Sequence, residues 1–121
     1  MNITYHDEVE SVQRFPGFGR KLVMDQPLGS AGISMGMGTL EPGAVILPHT
    51  HLVEECVTVL EGDVRVLVGS ETVEVRGRRT TVICPANVPH GIRNIGDRPV
   101  VICFAFPSVG VAAFPAEGVE L

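Results

Sequence analysis

Residues 43–62 read GAVILPHTHLVEECVTVLEG, and the spacing inside this stretch decides how the rest of the chain is read. Its marked positions are Gly43, His49, His51, Glu55 and Gly62, in the arrangement G-x5-H-x-H-x3-E-x6-G. Along an extended strand successive side chains point to opposite faces. His49 and His51 therefore share a face, and Glu55 keeps the same parity and joins them if the strand continues. Glu54 and Cys56 fall on the other face. Two imidazoles and a carboxylate on one face make a donor set suited to a divalent transition metal. An H-x-H pair alone is frequent among ordinary half-buried histidines. Glu55 at the right parity and the two bounding glycines separate this stretch from that background.

Working outward, short β-like runs alternate with turn signals. Ile33–Leu40 reads as a strand, Glu41-Pro42-Gly43 as a turn, and Val45–Leu47 as the lead into the histidines. Cys56–Leu60, Val64–Val68, Thr72–Arg76, Thr80–Cys84, Ile92–Ile95 and Val100–Phe106 continue the series, with Gly69-Ser70 fitting a tight hairpin. Turn signals every 8 to 12 residues or so indicate a sandwich or barrel with little helix. The first twenty residues and residues 107–121 carry no clear pattern.

The chain has 121 residues, 45% of them hydrophobic, and a net charge of -5. That is one domain's worth of chain, with no repeat that would signal a second. No apolar run is long enough to span a bilayer, and the polar, acidic start MNITYHDEVE is unlike a secretory signal, so a cytoplasmic protein is expected. Basic residues are scattered apart from Arg76, Arg78 and Arg79, which reads as a solvated turn rather than a nucleic-acid footprint. Cys56, Cys84 and Cys103 are odd in number and form no C-x-x-C pair, so they read as small buried hydrophobes rather than disulfides or zinc ligands. His6 lies in the polar N-terminal segment and reads as a surface residue.

A second stretch, CPANVPHGIRN, places Pro85, His90 and Asn94 at fixed intervals. Together the two stretches resemble the two conserved motifs of the cupin superfamily. The first matches at every position. The second, usually G-x5-P-x-G-x2-H-x3-N, departs at Asn87, where glycine is usual, and at Arg79, where the leading glycine would stand. Asn tolerates a left-handed turn, so the first departure is mild. The second leaves the turn near Gly77 loosely placed.

The resemblance implies a double-stranded β-helix, a jelly-roll barrel, over residues 1–121, with the motif-bearing core at about 32–106 and an arm at either end. It implies one divalent transition metal ion per chain (Fe, Mn, Ni, Zn, Co or Cu) on His49, His51, Glu55 and His90. Such a set leaves two positions of an octahedral ion open to substrate, water or O2, unlike a closed structural zinc site. Asn94 is expected to orient a ligand or a turn from behind. Met35, Met37, Val57, Val59, Phe104 and Phe106 are candidate pocket walls by parity, while Arg93 should face away from His90. Cupins of this size commonly pair through sheet edges, which implies a homodimer. The family includes dioxygenases, isomerases, lyases and cyclases and also binding modules. Oxygen chemistry on a small organic molecule is the favoured expectation, with non-redox Lewis-acid chemistry and binding without turnover as alternatives.

Overall fold

Turn chemistry sets the strand boundaries. Gly43 (φ +79°) closes the turn after Glu41-Pro42, and Gly69 (φ +65°) opens the two-residue hairpin loop. Asn87 is the one non-glycine residue in the left-handed region (φ +62°), the conformation anticipated for it where its motif usually has glycine. Between such turns lie short, β-branched and apolar runs that pleat readily.

The computed structural model describes residues 1–121. Its strands are β1 Val12–Phe15, β2 Phe18–Met24, β3 Ser34–Leu40, β4 Val45–Thr50, β5 Glu55–Glu61, β6 Val64–Val68, β7 Glu71–Val75, β8 Thr80–Cys84, β9 His90–Asn94, β10 Val100–Phe106 and β11 Phe114–Pro115. Helix is confined to two 3-10 turns, His6–Glu8 and Gln26–Leu28. The six-stranded sheet runs β1-β2-β3-β10-β5-β8 and the five-stranded sheet β11-β4-β9-β6-β7, all antiparallel. The two face each other as a jelly-roll barrel. No helix is long and apolar enough to cross a membrane.

The eight runs read from the sequence are all strands, with shifted ends. β4 extends to Thr50 and β9 begins at His90, so both histidines are strand residues. β1, β2 and β11 come from the unpatterned arms. β1 and β2 form a hairpin across Pro16-Gly17 that widens the six-stranded sheet, and β11 pairs with β4.

One end of the barrel is a dry plug. Leu40, Val64 and Val100 are 0% exposed. Leu40 and Val100 are directly opposed across β3 and β10. Burying each side chain of this size contributes about 2 kcal/mol.

The alternation along β3 runs opposite to the expected one. Ser34, Gly36, Gly38 and Leu40 face in, and Met35 and Met37 face out. A Cβ on Gly36 would overlap the Phe104 ring, and one on Gly38 would lie 2.8 Å from Phe18 and 3.0 Å from Ile102. The inner face of β3 is glycine because neighbouring rings occupy the space. Met35 and Met37 are therefore not pocket walls.

Candidate metal centre

Two β-bulges aim the key side chains. In the β4–β9 pairing Ile46 opposes Ile92, yet His49 opposes His90, so β4 carries one extra residue between them. Pro48 lies in this bulge, where its missing N–H costs no ladder bond. The extra residue resets the alternation, and Ile46 and His49 both reach the barrel interior.

The strand then ends. Residues 51–54 bend across from one sheet to the other, and Glu55 opens β5 in the opposite sheet. The condition that a continuous strand carry all three residues is not met. His49 comes from β4, His51 from the crossing, Glu55 from β5 and His90 from β9. Their donor atoms nonetheless all lie within 4.8 Å of one another. His51, Glu55 and His90 are buried, and Glu54 is exposed.

Each histidine is held through the same nitrogen. Nδ1 of His49 donates to the Leu47 carbonyl at 2.7 Å, Nδ1 of His51 to the Ala112 carbonyl at 2.8 Å, and Nδ1 of His90 to the Val88 carbonyl at 3.1 Å. A carbonyl only accepts, so each Nδ1 carries the proton and each Nε2 is left as the donor atom. Nε2 of His90 lies 2.9 Å from Oε1 of Glu55, and Nε2 of His51 lies 3.6 Å from the same oxygen. The backbone is fixed as well: Asn87 N–H donates to the His51 carbonyl at 2.8 Å. Three tethered imidazoles and one carboxylate fit a divalent transition metal ion, and backbone tethers of this kind set the orientation of metal-binding histidines.

The charges follow from burial and contact. Burial opposes a charge on Glu55, but in the absence of a metal ion His51 and His90, when protonated at Nε2 as well, donate toward it and pull the carboxyl down to about 2. Burial lowers His49 to about 4. His51 is raised, because its bonds to Glu55 and the Ala112 carbonyl exceed the burial penalty. The group at neutral pH thus offers an ionised carboxylate and an uncharged His49.

These donors face a cavity of about 330 Å³, lined largely by apolar side chains, Val57, Val59, Phe104 and Phe106 among them. Phe106 sits edge-on to His51 with ring centroids 4.9 Å apart. Asn94 is elsewhere. Its Nδ2 donates to the Leu40 and Arg98 carbonyls, and its Oδ1 accepts from Gly96 N–H. It fastens the turn at the plug end and touches none of the four residues, so of its two expected roles only the turn is realised. Arg93 faces outward and donates to the Leu121 carbonyl.

Three features escaped the sequence reading. Cys84 opposes Glu55 across β5 and β8 and lines the cavity. Burial and then the Glu55 charge push its thiol up to about 12, so it presents a neutral wall. The C-terminal segment supplies the Ala112 tether, and a backbone carbonyl leaves no mark in a sequence. Arg14 lines the cavity from the β1–β2 hairpin beside Arg20, itself a candidate polar handle from the sequence; the signal for Arg14 was a bulge, which sequence alone does not reveal.

The sequence profile described as a cupin domain matches residues 36–106. No curated protein is similar enough in sequence to match the chain. Among solved structures, the polyketide cyclase RemF of Streptomyces resistomycificus is 19% identical with a TM-score of 0.82, over 99% of this chain and 88% of its own. KdgF from a Halomonas species is 20% identical with a TM-score of 0.74, over 91% of this chain and 96% of its own. Oxalate decarboxylase of Bacillus subtilis is 24% identical with a TM-score of 0.79; this chain covers 30% of it. At these identities the likeness is one of fold.

Proposed function

The chain belongs to the cupin family, and from that premise we propose that it is a metal-dependent enzyme acting on a small organic molecule inside the barrel. The observation that carries this reading is the convergence of His49, His51, Glu55 and His90 on an apolar cavity, with every imidazole tethered through Nδ1. A divalent ion bound there supplies Lewis-acid polarisation and, if redox-active, access to oxygen chemistry. The protein's own part is orientation and exclusion of water. The tethers keep the donors in one arrangement, and Val57, Phe104 and Phe106 keep the space in front of them dry.

Oxygenase-type chemistry remains the favoured form. Outside the four-residue group, the cavity lining holds no carboxylate and no imidazole, and the Cys84 thiol is neutral. Isomerase, lyase or cyclase chemistry needs a base, and every candidate base here is already one of the four. The likeness in size and fold to the polyketide cyclase supports this non-redox form as the second reading. A homodimer is part of the proposal. The outward row of Met35, Met37 and Ile83 offers it an apolar face.

Elemental analysis of untagged protein purified without chelator, followed by oxygen uptake with catechols, flavonols and other enediols, tests the reading. Iron, manganese or copper near one per chain with substrate-dependent uptake supports the favoured form. Zinc or nickel without uptake moves the assignment to the second. No metal after reconstitution, or full metal content in His51→Ala, overturns the ligand assignment.

A further inference from the structure

The lining of the cavity is charged in a way the metal group does not explain. Two of the chain's basic residues, Arg14 and Arg20, line it, and Glu55 is the only acidic residue that does. The protein as a whole is acidic, with a net charge of -5, so the lining is opposite in sign to the chain overall.

The hairpin places both arginines by construction. Phe15 opposes Phe18, while Gln13 opposes Gly19, so β1 carries one extra residue at Arg14. A bulge re-aims the residue at its apex. Arg14 and Phe15 both reach the inner face, which also carries Phe18 and Arg20. Phe15 and Phe18 stack with ring centroids 6.3 Å apart across the Pro16-Gly17 turn.

Neither guanidinium forms a direct ion pair, and the carboxylates that act on Arg20, Glu55 and Asp25, do so only at longer range. The arginine ion pairs of the molecule are formed by Arg65 and Arg76 with Glu74 and Asp63, on the far edge of the five-stranded sheet. Arg20 is half-buried, and its proton affinity is lowered by burial and then by the like charge of Arg14. Two like charges close together, one partly desolvated and neither paired, cost free energy in the empty pocket. Five donors on each planar fork match a carboxylate. Arg20 and His51 line the same cavity.

We propose that the cavity takes a small organic acid with an apolar body, its carboxylate held between Arg14 and Arg20. The body lies against Phe104 and Phe106, and the opposite end of the molecule faces the His49–His51–Glu55–His90 group. The proposal deepens the enzyme reading and rests on it only for what happens at that far end. It excludes a bare dianion with no apolar part, for which the largely apolar lining would be wasted.

The test compares matched acid and amide pairs, phenylacetate with phenylacetamide and benzoate with benzamide, by saturation-transfer NMR and calorimetry. Each is titrated into metal-free and into zinc-loaded protein. The acids should bind about tenfold tighter than their amides, as loss of charge-assisted hydrogen bonds requires. Arg14→Gln combined with Arg20→Gln should remove that preference while leaving metal stoichiometry unchanged and the melting temperature no lower than the parent's. Arg20→Lys, which folds with the charge intact, should retain part of it. Equal binding of acid and amide, a preference that survives the double variant, or no acid bound at millimolar concentration would each overturn the proposal. Because the preference is read in metal-free protein too, failure of the metal reading alone would leave it standing.

Discussion

The two ends of the barrel are built from the same strands and obey opposite rules. β3, β5, β9 and β10 each run from one end to the other. At the plug end, Leu40, Val64 and Val100 are wholly apolar and fully buried, and the single polar side chain, Asn94, spends its amide on the Leu40 and Arg98 carbonyls and Gly96 N–H. At the other end the same strands deliver His90 and Glu55, and β4 delivers His49. There the polar atoms are held on one side only, leaving Nε2 and carboxylate oxygens facing open space. Stability is concentrated where every group is satisfied, and chemistry where groups are held but unfinished. A variant at one end should therefore spare the property carried by the other.

The sharpest break comes from Glu55→Ala. Metal content should fall from about one ion per chain to near zero, because the only carboxylate of the set is gone. The metal-free melting temperature should fall only by what the charged Glu55 contributes through His51 and His90, far less than the metal loss, read by calorimetry beside elemental analysis. At the plug, Leu40→Ala should cost about 3 kcal/mol by denaturant titration, from lost burial and the cavity left behind. Metal stoichiometry measured well below the transition should not change. A large metal loss in Leu40→Ala would mean the ends are not separable.

Asn94→Ala should cost about 2 kcal/mol, since two carbonyls and one N–H lose their partner. If it instead lowered metal affinity with stability intact, the assignment of Asn94 to the plug would be wrong. The mildest effect is one of pH. In metal-free protein His49 titrates at about 4 instead of the ordinary 6.5. Across that window the unfolded chain takes up a proton that the folded chain refuses, so acidification favours unfolding. The loss should be on the order of 2 kcal/mol. His49→Gln should abolish the upper part of this decline and leave the lower part, where Glu55, pulled down to about 2, becomes protonated. An unchanged profile would show that His49 is not buried as a neutral ring.

How much of this was legible follows from the range of each signal. The H-x-H-x3-E spacing is local, so His49, His51 and Glu55 stood out even though the continuous strand invoked for them does not exist. Pro48 and the bulge it sits in do the work that strand parity was given. Register belongs to a pair of strands and not to one run of residues, which is why the bulges at Arg14 and near Pro48 were invisible. β3 misled for a different reason. In SMGMGTL the methionines are the larger apolar residues, but the inner face is the crowded one and had room only for glycine beside Phe104, Phe18 and Ile102. The arms were unreadable because β1, β2 and β11 are ordered by the sheet edges they join.

One consequence lies in where the four donors come from. Glu55 belongs to one sheet, His49 and His90 to the other, and His51 to the bend between them. An ion held by all four is a clasp across the seam of the barrel. Its binding free energy is then also closing energy, about 2.7 kcal/mol at a hundredfold excess over Kd. Chelation should loosen the clasped rim while the plug stays shut, so amide hydrogens of β4 and residues 112–116 should exchange faster and those of β3 near Leu40 should not. The ion would thereby be a mechanical part of the vessel in which it works.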